Sequence, residues 1–423
     1  MLQITTLLIQ IIVILLTARI VGWGFRKIHQ PQVVGEMAAG ILLGPSLLGW
    51  LAPDVFAVLF PLSSLGFLST LSQIGLLVFM FLVGLELNPK LLRERARTAL
   101  VTSHASILIP FLLGGLLALY LYPRLSDNGV PFTHFALFMG TAMSITAFPV
   151  LARILTERKL LSTPLGGIAI ACAAIDDVTA WCILAGVVLL VRASSADNVL
   201  WVMVLGSVTY VGVMLYVARK ALRHLEVKYK QREEVSKDMV AVILLIVFAS
   251  SLATESLGIH ALFGAFIAGA IMPKNRGFVR ALTEKLEDIT LVLLLPLFFA
   301  STGLRTSIGL VSGTEMWFYC ALIIGVAVVG KFGGASIAAR ASGMNWRESA
   351  ALGVLMNTRG LVELVVLNIG LDIGVISPAL FAMMVIMALV TTFMTTPLLE
   401  MIYRPPLYAR HRETGIIQVK QAA

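Results

Sequence analysis

Residues 168–184 read IAIACAAIDDVTAWCIL, an apolar run with two adjacent carboxylates, Asp176 and Asp177, at its centre. The run belongs to an apolar segment, 164–191, that is long enough to cross the hydrocarbon core of a bilayer as a helix. One ionised Asp at the bilayer centre costs roughly 2.5–3.5 kcal/mol on insertion scales. The stretch therefore predicts a membrane helix with a functional site, and the alternative is a structural ion pair or a polar packing contact.

The whole chain has the composition of a membrane protein. Its 423 residues are 58% hydrophobic and 13% charged, with a mean hydropathy of +0.93. Soluble domains are about 45–50% apolar and about a quarter charged. The apolar blocks have the length of spanning helices and do not alternate, which argues against a β-barrel. An all-α integral membrane protein is expected.

Thirteen segments are predicted to span the membrane. Their approximate limits are 4–25, 32–51, 67–87, 98–121, 132–156, 164–191, 199–222, 238–255, 258–273, 287–304, 316–339, 348–370 and 378–402. The first segment has no basic region before it, so it is expected to remain as a helix and not to act as a cleaved signal. Residues 403–423 are expected to form a short cytoplasmic tail.

The distribution of Lys and Arg predicts the orientation. With the N-terminus outside, twenty-five of these residues fall in inside loops and three in outside loops, and four lie within the spans. Positive charge is enriched on the cytoplasmic side of membrane proteins. The C-terminus is therefore predicted to be cytoplasmic, and the net charge of +9 indicates topology and not nucleic-acid binding. The basic segment 219–237 is interpreted as a cytoplasmic loop that sets topology, or alternatively as a lipid or protein site.

A weak internal repeat relates the two halves of the chain. Helix two contains GEMAAGILLGP (35–45), and helix nine contains FGAFIAGAIMP (263–273). Helix three ends VGLEL (83–87), and helix ten ends TGLRT (302–306). The members of each pair are seven helices apart in the order of the chain, an odd offset, so the halves, helices one to six and eight to thirteen, are predicted to be inverted. Inverted repeats with interrupted helices are typical of secondary transporters.

Two matching helices of this repeat are predicted to be broken and to cross. Helix five contains TAMSITAFP (141–149), and helix twelve contains MNTRG (356–360). Each places polar residues beside a Pro or Gly inside an apolar run. Pro149 removes a backbone donor, and Ser144, Thr146 and the backbone around Ala147 offer neutral oxygens to a cation. A simple kink is the alternative.

The carboxylate pair suggests exchange chemistry. Adjacent helical residues point about 100° apart, so one carboxylate can face a cavity while the other faces a protein partner. A proton and a cation then compete for the same acidic group. Lys331, in mid-helix eleven, needs a carboxylate partner, and Asp176 is the best candidate. Arg359 is expected to pair with Glu363, four residues later on the same helix face.

At these residues the chain resembles the second branch of the monovalent cation/proton antiporter superfamily, which includes bacterial sodium/proton antiporters, glutathione-gated potassium efflux proteins and plant cation/proton exchangers. The resemblance covers about 5–402. The stretches that carry it are FLVGLEL (81–87), ITAFPVLARIL (145–155), AIDDV (174–178), LPLFF (295–299) with Gly303 and Leu304, Gly330 with Lys331, and NTRGLVE (357–363).

The resemblance implies particular roles and domains. Asp177 would bind the cation and the proton, and Asp176 would pair with Lys331. Ala147, Phe148, Pro149, Asn357, Thr358, Arg359, Gly360 and Glu363 would form the crossing. Helices four to six and eleven to thirteen would form a mobile core, helices one to three and eight to ten a dimerising panel, and helix seven the linker. Two Asp residues and a Lys imply electrogenic exchange, whereas the plant-like NTRG stretch is typical of exchangers that lack the first Asp.

The expected function is therefore antiport of Na⁺ or K⁺ against protons by elevator-type alternating access in the cell's inner (plasma) membrane. A homodimer in contact with membrane lipid is expected, with no enzyme activity, no cofactor and no nucleic acid partner. A gated cation channel and a cation-coupled solute symporter are the alternatives. The channel is disfavoured because the sequence lacks a motif for a filter built from rings of carbonyls.

Overall fold

The computed structural model describes residues 2–86, 96–127, 129–160, 163–193, 197–232, 234–257 and 260–403. Within these ranges the chain forms helices and no strand, as the composition predicts. Of the predicted tail, only Tyr403 lies inside the described residues. The fold is thus built from helices packed on helices.

The helices have the following bounds. The first half of the chain contains α1 (Leu2–Lys27), α2 (Gln32–Leu43), α3 (Leu48–Leu51), α4 (Pro53–Leu59), α5 (Leu62–Glu86), α6 (Ala96–Leu125), α7 (Phe132–Ser144), α8 (Phe148–Glu157) and α9 (Pro164–Ala193). The second half contains α10 (Asp197–Val213), α11 (Arg219–Arg232), α12 (Lys237–Ser256), α13 (Ala261–Ile271), α14 (Arg276–Ile289), α15 (Leu295–Arg305), α16 (Gly313–Val328), α17 (Gly334–Ala341), α18 (Trp346–Met356), α19 (Leu361–Asp372) and α20 (Pro378–Ile402). Three π-helical turns, Met214–Ala218, Thr290–Leu294 and Val329–Gly333, join α10 to α11, α14 to α15 and α16 to α17.

Much of this helical structure has membrane-spanning dimensions. In the described part of the chain nine segments are long and apolar enough to cross a bilayer, and α18 with α19 makes a tenth that is bent by 43°. Predicted helices five, seven and nine correspond to the pair α7–α8, to α10 and to α13, which are shorter or interrupted. The count of thirteen therefore stays a prediction.

Two predicted loops are instead helical. The segment before predicted helix ten forms α14, because Phe278, Leu282 and Leu286 recur every four residues and bury one face of an otherwise charged helix. The basic segment after predicted helix seven forms α11. Both helices continue a spanning helix beyond its apolar stretch, and for that reason hydropathy alone missed them.

The internal repeat is visible in backbone packing between helices. Gly40 of α2 and Gly303 of α15 allow these helices to touch, since a Cβ at Gly40 would overlap the carbonyl oxygen of Phe299 and one at Gly303 would overlap that of Gly40. Small residues at such interfaces let membrane helices approach closely.

The equivalent contact occurs in the other half. A Cβ at Gly84 of α5 would overlap the carbonyl oxygen of Phe266 in α13, and a Cβ at Gly269 would overlap that of Phe81. The sequence repeat aligns Gly84 with Gly303 and places Gly269 one residue after the counterpart of Gly40. The two glycine contacts are therefore counterparts, as an inverted repeat requires.

The main helix contacts sort into two groups. In the first group α1 packs on α2, α2 on α15, α5 on α13, α14 and α15, and α12 on α13. In the second group α6 packs on α7, α9 and α17, α18 on α17 and α20, and α19 on α20. The helix α10 contacts α9 of the second group and α12 of the first. We use "first group" and "second group" for these sets below.

We predict that Gly84→Ala lowers the melting temperature in detergent, because the new Cβ meets a backbone carbonyl that cannot rotate away. Overpacking of this kind costs about 1–3 kcal/mol. Gly66→Ala, on the same helix, is the matched control. A Cβ at Gly66 meets nothing within 4 Å, so this variant should be neutral or gain up to about 1 kcal/mol of helix propensity. Equal melting temperatures for the two variants would contradict the close contact.

Candidate ion-binding site

The interruption between α7 and α8 is a short extended segment, Ile145–Ala147, in which Ile145 has φ −72° and ψ 140°. Pro149 is the second residue of α8 and needs no amide hydrogen in that first turn. The sequence TAFP therefore ends one half-helix and starts another. The backbone groups at both ends are left free for other partners.

The interruption between α18 and α19 depends on Gly360. This residue has φ 148° and ψ −127°, a conformation that L side chains rarely adopt. An added Cβ would lie 2.9 Å from Cγ2 of Val150. The glycine predicted at the break is thus required by both conformation and space.

The two interruptions cross and hydrogen-bond to each other. The backbone amide of Ala147 donates to the carbonyl of Thr358 at 2.9 Å. The hydroxyl oxygen of Thr146 also lies 3.1 Å from the carbonyl oxygen of Met356. Each interruption therefore provides a hydrogen-bond partner for a backbone group of the other. The predicted crossing of broken helices is present.

Arg359 donates hydrogen bonds to backbone carbonyls at the C-terminus of α7 that lack a partner within the helix. Its guanidinium is fully buried and donates to the carbonyl oxygens of Ala142 and Met143 at 2.8 and 2.5 Å. A cation is favourable at a helix C-terminus. The same guanidinium donates to Glu363 Oε2 at 2.9 Å, so the ion pair expected from the sequence is formed.

Asp176 is fully buried and saturated with donors. Its Oδ1 accepts a hydrogen bond from Ser103 at 2.5 Å. Its Oδ2 accepts from Ser106 at 2.8 Å, from Thr146 at 2.8 Å and from Lys331 Nζ at 2.9 Å. Lys331 is also fully buried, and it lies in the π-helical turn Val329–Gly333. The predicted partner of Lys331 is thus the observed one.

Asp177, in contrast to Asp176, is not surrounded by hydrogen-bond donors. It is 1% exposed, and neither carboxylate oxygen has a hydrogen-bond partner among the described residues. The backbone amide of Phe148, at the N-terminus of α8, interacts with the carboxylate at a geometry short of a hydrogen bond. Buried polar groups are almost always satisfied, so this exception needs an explanation.

The remaining predicted residues have distinct positions. The Ser144 hydroxyl donates to the carbonyl of Thr141 at 2.7 Å, and so its hydrogen is not directed at the carboxylates. Asn357 caps α18, and its buried Oδ1 has no partner in the described chain. The Thr358 hydroxyl donates to Thr395 at 3.4 Å. Only Thr146, of the two predicted hydroxyl ligands, contacts the carboxylate pair directly.

Sequence reasoning missed Ser103 and Ser106, which hold Asp176. The available signal was the polar stretch TSHAS (102–106) inside an otherwise apolar helix, with the two serines three residues apart on one face. It also missed Thr392, which accepts from the backbone amide of Arg359 and donates to its carbonyl.

A cavity of about 550 Å³ separates the two helix groups at one end of the molecule. Glu36 of α2 and Glu287 and Asp288 of α14 line it from the first group. Val150 and Arg153 of α8 line it from the second. Since Val150 packs beside Gly360, the cavity reaches the neighbourhood of the crossing and stops short of Asp177.

The cavity wall carries a buried polar network. Gln32 donates to Glu36 Oε1 at 2.8 Å, and Arg153 lies 3.5 Å from Gln32 Oε1. The network thus places the carboxylate of Glu36 on the wall of the cavity.

The two groups are joined at the opposite end. Arg305, the last residue of α15, donates to Asp372 at 2.5 Å and to Asn368 at 3.0 Å. Asn368 donates in turn to Thr302 at 2.9 Å. We call these four residues the α15–α19 ladder. The groups are therefore bridged at this end, and beside the cavity they also touch, since Arg158 donates to the carbonyl of His29 at 2.9 Å and Gln30 to that of Phe393 at 3.1 Å.

The buried charges of the crossing do not cancel. Asp176 is balanced by Lys331, and Glu363 by Arg359. Asp177 has no counterpart among the described residues. One proton or one monovalent cation would neutralise it. No three His, Cys, Asp or Glu side chains come together as a metal-binding cluster in the described ranges.

Comparison with known proteins agrees with this arrangement. The family model for the transmembrane sodium/hydrogen exchangers matches residues 12–402. The structure resembles that of the sodium proton antiporter MjNhaP1 from Methanocaldococcus jannaschii, with a TM-score of 0.67 at 16% identity, over 93% of this chain and 96% of that one. This likeness shows a shared fold.

Relatives found by sequence comparison share a higher identity with this chain than the solved structure does. The Na⁺/H⁺ antiporter NhaS4 of Synechocystis is 46% identical over 405 residues, which are 95% of this chain and 98% of that protein. Cation/H⁺ antiporter 17 of Arabidopsis thaliana is 44% identical over 400 residues, 94% of this chain and 48% of that protein. K⁺/H⁺ antiporter 1 of Saccharomyces cerevisiae is 34% identical over 409 residues, 94% of this chain and 46% of that protein.

The chain spans nearly all of the cyanobacterial relative and about half the length of the plant and yeast relatives. Together with the apolar spanning helices, these matches confirm the resemblance drawn from the sequence. The chain is a multi-pass membrane protein that belongs to the transmembrane sodium/hydrogen exchanger family, a family of transporters and not of enzymes.

Proposed function

We propose that this protein is a secondary antiporter that exchanges Na⁺ or K⁺ for protons at Asp177. The observation that carries the proposal is the fully buried carboxylate whose two oxygens lack partners beside the crossing of two interrupted helices. A carboxylate in this position is costly when ionised and empty. A proton or a cation removes that cost, and the two cannot bind together.

Competition for one charge is sufficient for coupling. When Asp177 is protonated or holds a cation, the crossing is neutral. When it is empty and ionised, a negative charge remains in a water-poor region, so the empty site moves across the membrane less readily than the occupied one. One full cycle of two crossings therefore carries one cation in one direction and one proton in the other. Asp176 supports this site and changes partners with Lys331 when the cargo changes.

Alternating access follows from the two helix groups. We assign the second group, which contains the crossing, as the mobile core, and the first group as the panel. The helix α10 is the linker between them. The cavity opens toward the side predicted to be cytoplasmic, and the α15–α19 ladder lies on the predicted outer side. Elevator movement of the core would close the cavity and separate the ladder.

The membrane, orientation and assembly follow the sequence expectation. We place the protein in the cell's inner membrane, with its N-terminus outside and its C-terminus in the cytoplasm, from the positive-inside distribution. The panel is assigned to homodimerisation and contacts lipid. The names of the relatives include both Na⁺/H⁺ and K⁺/H⁺ antiporters, which supports a monovalent cation as the substrate class.

We predict that Asp177→Asn abolishes exchange. Proteoliposomes with an acidic interior and a pH-sensitive dye would report proton efflux after addition of Na⁺ or K⁺. The amide cannot ionise, so neither cargo has a charged ligand. The melting temperature should not fall, because the variant removes a buried, unpartnered charge.

The matched control is Asp54→Asn, the same chemical change at an exposed site in α4. It should exchange like the unmodified protein. Retained cation-driven proton efflux in Asp177→Asn would remove this residue from the proposed role, and loss of exchange in both variants would point to a general defect.

We predict that the Asp176–Lys331 pair is required for stability. Lys331→Met leaves a buried carboxylate without its cation, which costs about 3–5 kcal/mol in comparable pairs. Asp176→Asn/Lys331→Met should recover part of that loss, since no charge is then uncompensated. Thermal melting in detergent measures both. Lys237→Met, at an exposed lysine, is the control and should shift stability by less than about 0.5 kcal/mol. A double variant as unstable as the single one would argue against this account.

We predict that fixing the α15–α19 ladder stops exchange. Arg305 and Asp372 are 36% and 46% exposed, and surface pairs contribute only about 0–1 kcal/mol, so the native contact can open readily. Cysteines at both positions, in a Cys182→Ser background, would be joined by a short bismaleimide. Exchange should fall to the background of empty vesicles. Each single-cysteine variant treated identically is the control, and full exchange by the cross-linked protein would show that this end need not open.

A further inference from the structure

A small pocket lies where α11 meets the turn between α13 and α14. Its volume is about 140 Å³. Arg219, Arg223 and Glu226 line it from α11, and the turn from Ile271 to Lys274 lines it from the first group. The proposed exchange reaction does not use these residues, and the basic segment that contains them was left open between topology and binding.

The pocket has an excess of positive charge. Three cations and one carboxylate give it a net charge of +2. Arg219 and Arg223 are one helical turn apart, where like charges destabilise a helix by a few tenths of a kcal/mol. Neither guanidinium forms an ion pair or a hydrogen bond within the described ranges. Both therefore have donors available for an anionic ligand.

Lys274 contributes positive charge to the pocket, but its ammonium hydrogens already donate to backbone carbonyls of the protein. Its ammonium donates to the carbonyl oxygens of Gly84, Leu85 and Gly269 at 3.0, 2.8 and 3.2 Å, at the C-terminal ends of α5 and α13. Burial, reinforced by the charge of Arg219, lowers the pKa of Lys274 to about 8. An anion in the pocket would offset the repulsion between these cations.

The pocket lies next to an exposed apolar surface in sequence. Four residues just before Arg219 are strongly exposed and have apolar or aromatic side chains: Val213, Leu215, Tyr216 and Val217, at 48%, 45%, 81% and 63%. At Arg219 the helix becomes charged. A ligand with both an anionic group and a hydrocarbon chain fits this boundary, because one end faces the arginines and the other the exposed apolar residues.

We propose that Arg219 and Arg223, opposite Lys274, bind the phosphate group of an anionic membrane lipid. Guanidinium groups bind phosphate oxygens through paired N–H donors. The volume lies below the roughly 300–1,000 Å³ of sites for whole small molecules, so the pocket suits one phosphate and not a nucleotide. The bound lipid would join α11, which connects the two halves of the chain, to the α13–α14 turn.

The test is lipid binding by the purified full-length chain. Native mass spectrometry would measure retained phosphatidylglycerol against phosphatidylcholine, and thermal melting in detergent would measure stabilisation by each lipid. The unmodified protein should prefer phosphatidylglycerol. Arg219→Gln/Arg223→Gln should bind it about thirtyfold more weakly, from roughly 1 kcal/mol for each basic residue near an anionic lipid surface.

The matched control is Lys220→Gln/Lys237→Gln, which removes two charges from the same exposed basic segment outside the pocket. It should bind phosphatidylglycerol like the unmodified protein. If both double variants lose binding equally, the effect is one of general surface charge and the pocket is not the site. If inorganic phosphate alone stabilises the protein as much as the lipid does, and the arginine variant abolishes this, the ligand is a soluble anion and the lipid assignment is wrong.

The lipid-binding measurements do not depend on whether the protein exchanges cations for protons. An arginine variant that binds lipid weakly yet still exchanges cations for protons supports the lipid site and the proposed function together. Unchanged lipid binding in that variant would overturn the lipid site alone.

Discussion

An uncompensated carboxylate in the middle of the helical bundle is the constraint on which the other features of this protein depend. Asp177 lies beside Asp176, and the structure treats the two differently: four donors surround Asp176, and none is hydrogen-bonded to Asp177 within the described chain. A buried ionised group without a partner is among the most expensive features a membrane protein can retain. A proton or a metal cation would remove this cost, and for that reason we assign the proposed exchange to Asp177.

The crossing of interrupted helices makes such a site possible. An interrupted helix exposes carbonyls at one end and amides at the other, and in lipid these groups must find partners inside the protein. Here each break binds the other through Ala147 and Thr358, and Arg359 binds the carbonyl end of α7 while Glu363 balances its charge. The amide end of α8 faces the Asp177 carboxylate. Two ion pairs thus balance four of the buried charges, and Asp177 is left without a counterion in the described chain.

Much of this arrangement follows from local sequence. Pro149 and Gly360 mark the breaks, because one lacks an amide hydrogen and the other occupies a backbone conformation that L side chains rarely adopt. The pairs Arg359–Glu363 and Lys331–Asp176 follow from the scarcity of buried charges. Ser103 and Ser106 were missed because a hydroxyl in a membrane helix usually bonds its own backbone, and nothing local indicates that it faces a carboxylate on another helix. The helical structure of α11 and α14 was missed since hydropathy detects only the apolar part of a helix that continues into water.

The distribution of tight contacts is compatible with the movement that we propose between the two groups. The glycine contacts that tie α2 to α15 and α5 to α13 both lie inside the first group, and the hydrogen bonds of the crossing lie inside the second. The cavity and the α15–α19 ladder, by contrast, lie between the groups. Backbone contacts with no room for even one methyl group resist sliding, whereas a half-exposed ion pair and a cavity do not. The tightest packing therefore lies within each group, and the exposed ion pair and the cavity lie between the groups, where the alternating access that we propose would need movement.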